Sequence, residues 1–144
     1  MEREIKFRGK RISNGEWLYG DLMQDNMGGC CIYPLENKGL KQVLRCTIGQ
    51  YTGLKDKNGK EIYEGDIIKE TEDGGIVKVE NIGVVRYYDR DSRFGIDLSH
   101  KSNVSFRHSF ACAPQTYWHI TYRYEYEVIG NIHDNPELLK DGRD

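Results

Sequence analysis

The chain has 144 residues, 38% hydrophobic and 31% charged, with a formal net charge of −2, which suits one domain or two small ones sharing a core. Ten tyrosines, four phenylalanines and two tryptophans exclude a disordered chain, and no apolar run approaches the roughly 18 residues of a membrane span. Residues 1–69 hold 12 basic and 10 acidic side chains and residues 70–144 hold 9 and 13, so neither half has the basic excess of a constitutive nucleic-acid binder.

Residues 4–12 alternate, with Ile5 and Phe7 on one face and Lys6, Arg8 and Lys10 on the other. Ser13-Asn14-Gly15 is a turn, and residues 16–20 return as the partner strand, predicting an N-terminal hairpin. The initial MEREIKFRGKR carries charge without an apolar stretch behind it, so no secretory leader and a cytoplasmic location are expected. Asn26-Met27-Gly28-Gly29 turns the chain into Cys30-Cys31-Ile32-Tyr33, which stops at Pro34. Asn58-Gly59 predicts a two-residue hairpin turn with positive φ at both positions. The charges around it, Lys55, Asp56, Lys57 and Lys60, read as ordinary exposed residues. Gly65-Asp66 launches Ile67-Ile68-Lys69.

Residues 76–79 and 83–88 are further β-branched and aromatic runs, and Phe94, Ile96 and Leu98 share a face. Residues 99–116 read as an irregular connection. Trp118, Ile120, Tyr122, Tyr124, Tyr126, Val128 and Ile132 then alternate over a length that predicts a break near residues 123–125, with Trp118, Ile120 and Tyr122 facing a core. Asn135-Pro136-Glu137 has the N-cap, proline and acid of a short helix over 136–140. The class predicted is all-β and mostly antiparallel. It divides into an N-terminal β-hairpin region (1–48) and a small barrel-like region (49–144), or forms one continuous domain (1–144).

Catalysis has little support. There is no G-x-S-x-G elbow, H-E-x-x-H pair or G-x-x-x-x-G-K-[ST] loop. Gly28-Gly29 and Gly74-Gly75 lack the following helix that a phosphate loop needs. Cys30, Cys31, Cys46 and Cys112 make no C-x-x-C pair, and His100, His108, His119 and His133 have no ligand rhythm. Neither a catalytic residue nor a metal or cofactor is therefore expected.

Three blocks, KFRGKRISNGEWLYGDL, IGQYTGLKDKNGKEIYEGDIIK and YEVIGNIHDNPELL, resemble the YopX family of phage and prophage proteins, in the family's order and across nearly the whole chain. The resemblance implies a small, mostly β protein encoded in phage genomes or integrated prophages and working in the bacterial host. It implies no activity and supplies no site residues. EGDIIK, GVVRYYD and EYEVIGNI are also similar to the strand order of SH3-like small barrels, which implies such a barrel with the hairpin region packed on it.

One constellation mixes cations with rings. Arg86-Tyr87-Tyr88, Arg90, Arg93-Phe94, Arg107 and Tyr122-Arg123-Tyr124 suit a single strand, whose phosphates take guanidinium and whose bases stack on rings. Arg86, Tyr87, Arg90, Arg93, Arg107 and Arg123 are thus the candidate contacts to a nucleic acid or a protein partner. Asp89, Asp91 and Asp97 beside them favour instead a solvated strand face over a tyrosine-lined core. By elimination, the expected function is a non-catalytic protein-binding module for a host or phage protein. The alternative is a single-stranded nucleic-acid-binding module.

Overall fold

A computed structural model describes residues 2–36, 39–75, 78–98, 107–109, 115–117 and 120–140, with side chains at all of these except 107–109, 115–117 and 120–123. Trp118 and its expected core packing lie outside the described residues, as does most of the 99–116 connection. Among the described residues there are twelve strands: β1 (Phe7–Lys10), β2 (Trp17–Gln24), β3 (Cys30–Pro34), β4 (Lys41–Gln42), β5 (Gly49–Lys55) and β6 (Glu61–Tyr63), then β7 (Asp66–Asp73), β8 (Lys78–Tyr88), β9 (Arg93–Asp97), β10 (Arg107–Ser109), β11 (Gln115–Tyr117) and β12 (Ile120–Asn131). They form two six-stranded sheets, ordered β4-β3-β2-β1-β5-β6 and β10-β9-β8-β7-β12-β11. The all-β, antiparallel class expected from the turn-punctuated alternation is the class observed. The chain divides into two compact units, Met1–Leu54 and Lys55–Asp144.

In the first unit β1 and β2 make the expected hairpin, with Phe7 opposite Gly20 and Lys10 opposite Trp17. Phe7, Leu18 and Leu22 pack on a core of Cys30, Ile32 and Val43. The strand begins only at Phe7, which leaves Ile5 exposed. The second unit has the larger core, Ile62, Ile68, Val85, Ile96 and Leu98, with Tyr126 and Val128 against it. Gly83 serves this core directly: a Cβ there would strike Ile96 Cγ2 and stand 2.7 Å from Leu98 Cδ2.

Two local expectations change. The long last strand bulges between Val128 and Gly130, beyond the predicted 123–125. Gly130 lies so close to Asn135 that a Cβ would come 2.6 Å from its Oδ1, and a bulge at a glycine absorbs the extra residue at least cost. The C-terminal helix is only a 3₁₀ turn, Pro136–Leu139. Asn135 does not cap it; its Oδ1 accepts the Asn131 N–H at 3.3 Å, turning back to the strand end. Neither sheet closes on itself among the described residues, since β10 and β11 are opposite edges of the second sheet.

The 56–60 turn also differs in kind. The Asp56 N–H donates to the Lys60 carbonyl (2.7 Å) and the Gly59 N–H to the Asp56 carbonyl (3.0 Å). Gly59 alone of the turn has positive φ, at 81°. This is a three-residue loop ending in a left-handed glycine, not a two-residue turn with both positions left-handed.

Candidate functional site

The residues singled out from sequence do not form one surface. Arg86, Tyr87 and Arg93 lie on the β8–β9 hairpin, where Arg86 pairs with Gly95, Tyr87 with Phe94 and Tyr88 with Arg93. Cross-strand partners share a face and neighbours along a strand do not, so Arg86, Tyr88, Arg93 and Asp97 occupy one face. Tyr87 and Phe94 lie on the other, with ring centroids 5.2 Å apart. An arginine followed by a tyrosine on a strand is therefore a pair split across the sheet.

The cations are also largely committed. Arg86 Nε lies 3.0 Å from Asp97 Oδ2, and Arg93 Nη2 lies 3.4 Å from Asp91 Oδ2 while its guanidinium covers the Tyr88 ring at 5.4 Å. Arg90 is exposed in the connecting turn. Arg107 pairs in register with Asp97, and Arg123 with Asp73; their side chains lie outside the described set.

The cation–ring constellation that does assemble is in the first sheet. Lys6, Arg8 and Lys10 alternate onto one face of the β1 segment. Arg8 stacks on Trp17 at 4.6 Å and Lys10 approaches the same ring at 5.5 Å. Lys6 stands 4.9 Å over Tyr51 and binds Glu4 at 2.9 Å. Lys6, Arg8 and Tyr51 are buried, so these cations anchor rings rather than meet a ligand. The alternation in KFRGK was visible in sequence; that WLY would supply its rings follows only from the hairpin register.

Beyond Trp17 the same face opens. Tyr19 and Asp21 follow on β2 and Tyr33 lies opposite Asp21 on β3, with Met23 next in line. Tyr19, Tyr33 and Met23 are 40%, 41% and 55% exposed. The core-side residues of these strands, Leu18, Leu22 and Ile32, point the other way.

The blocks that carry the family resemblance are structural here. Asp56 is buried, 7% exposed; its Oδ1 accepts the N–H groups of Asn58 and Lys60, both at 2.9 Å, and its Oδ2 accepts that of Val128 at 3.0 Å. Burial alone would raise its pKa, but those three backbone donors and the nearby Lys60 together hold it below the usual carboxylate value. Asp66 Oδ2 accepts the Tyr63 N–H at 2.8 Å, Gly65 donates to Val85 and accepts from Ile132, both at 2.9 Å. The expectation that Asp56 is an ordinary exposed residue is thus overturned. No cluster of three or more His, Cys, Asp or Glu able to hold a metal occurs among the described residues.

No curated protein matches the chain. The crystal structure of protein EF1440 from Enterococcus faecalis is similar, at 24% identity over 96% of this chain and 100% of that one, with a TM-score of 0.48. The YopX protein family matches residues 6–140, almost the full length, and the chain belongs to that family.

Proposed function

We propose that this protein is a phage- or prophage-encoded, non-catalytic module that binds another protein in the bacterial cytoplasm. The observation that carries the reading is the open half of the first sheet, where Tyr19, Tyr33 and Met23 present partly exposed side chains on one face. Tyrosine and methionine are enriched at protein interfaces, because they bury much area with few conformers to freeze. The likeness of the second unit's segments to SH3-like small barrels supports the same class of role. Against a single-stranded nucleic acid stand the acids already paired with Arg86 and Arg93.

The test is capture from bacterial lysate by the tagged protein beside anisotropy with labelled oligonucleotides. Tyr33→Ala should weaken a captured partner's binding at least about tenfold, as loss of an interface anchor does, with an unchanged melting temperature. Oligonucleotide binding that falls steeply with salt and is lost in the Arg86/Arg90/Arg93 triple alanine variant would overturn the reading.

A further inference from the structure

We propose that the open face of the first sheet receives a cationic side chain, arginine or lysine, from the partner protein, with Asp21 as its counter-charge and Tyr19 and Tyr33 as its aromatic walls. The proposal rests on the protein-binding reading above. Asp21 is exposed and lies directly opposite Tyr33, which sets their Cβ atoms about 5 Å apart. Tyr19 and Met23 flank it at two residues on either side, so all four side chains leave the same face.

Among the described residues Asp21 makes no ion pair and no side-chain hydrogen bond. Other carboxylates here are engaged: Asp97 with Arg86, Asp91 with Arg93, and Glu127 with both Lys57 and Lys69. The nearest cations of the face, Arg8 and Lys10, are turned onto Trp17. What a partner meets is therefore a negative carboxylate beside rings whose faces are also negative in potential.

That combination selects the occupant by charge. An apolar partner laid over Tyr19 and Tyr33 would strip water from Asp21 and leave it unpaired, which is unfavourable. A phosphate backbone or an acidic segment would meet like charge. A guanidinium or ammonium satisfies the carboxylate and both rings together, as Arg8 and Trp17 do within this chain. The stem of such a side chain also has Met23 to pack against.

The test uses the intact protein and short synthetic peptide mixtures with Arg, Lys, Glu or Leu fixed at the centre, read by amide chemical shifts. Arg- and Lys-centred peptides should shift amides at 19–23 and 31–33. Asp21→Asn should weaken them at least about tenfold, and Asp21→Lys should turn the preference toward Glu-centred peptides, both variants melting with the parent. If Leu-centred peptides bind these amides as well as Arg-centred ones and ignore Asp21→Asn, the cation proposal is overturned while protein binding stands. If no peptide reaches these amides, the proposal is also overturned; an oligothymidine that does reach them removes the protein-binding reading as well.

Discussion

The turn after β2 and the turn after β5 are built from the same parts. In the first, Asp25 Oδ1 accepts the N–H groups of Met27 and Gly29, both at 2.8 Å, and Gly28 takes a φ of 87°. In the second, Asp56 Oδ1 accepts those of Asn58 and Lys60, and Gly59 takes a φ of 81°. The difference is the second carboxylate oxygen. Asp56 is buried and its Oδ2 accepts the Val128 N–H of β12, 72 residues away; Asp25 stays exposed with its bonds confined to the turn. The Lys57 N–H reinforces the attachment by donating to the Tyr126 carbonyl at 2.9 Å. Identical local chemistry thus shapes a loop in one unit and ties a hairpin to a central strand in the other.

Alanine substitution should separate the two most widely. Asp56→Ala removes a charged acceptor from three backbone donors and should cost about 3 kcal/mol, against about 1 kcal/mol for Asp25→Ala. Equal losses in urea unfolding would break the comparison. Acid unfolding offers an independent view. Because the folded-state pKa of Asp56 lies below its ordinary value of 3.8, its contribution is complete above that value and is lost as pH falls through the folded pKa. Asp56→Asn should therefore flatten the stability loss below about pH 4, and an unaltered acid limb would count against the assignment.

The glycines should behave alike where the aspartates do not. Gly59 has open space where a Cβ would go, and Gly28 meets only the Arg45 Nη1 atom, at 3.3 Å. Substitution by alanine then costs only the left-handed backbone, about 1–2 kcal/mol at each turn; a much larger loss at Gly59 would place the hairpin's anchorage in its backbone rather than in Asp56. The smallest effect is expected at the exposed lysines, where Lys57→Ala and Lys60→Ala should stay within about 0.5 kcal/mol by thermal melting.

Alternation and turn residues determined the class on their own: period-two patterns with Asn-Gly, Gly-Gly and Gly-Asp punctuation admit little but short antiparallel strands. They also located the N-terminal hairpin and the glycine that takes positive φ at residue 59, because those depend on neighbours a few positions away. Only the tertiary structure decided which side chains meet across strands. Register placed Tyr87 away from Arg86 and Arg93, brought Trp17 to Arg8 and Lys10, and set Tyr33 opposite Asp21. Nor could DKNGK alone reveal that Asp56 is buried, since the deciding donor is the Val128 N–H. The physical reason is common to both: a side chain's face follows from its own strand, whereas its partners follow from pairings between segments distant in the chain.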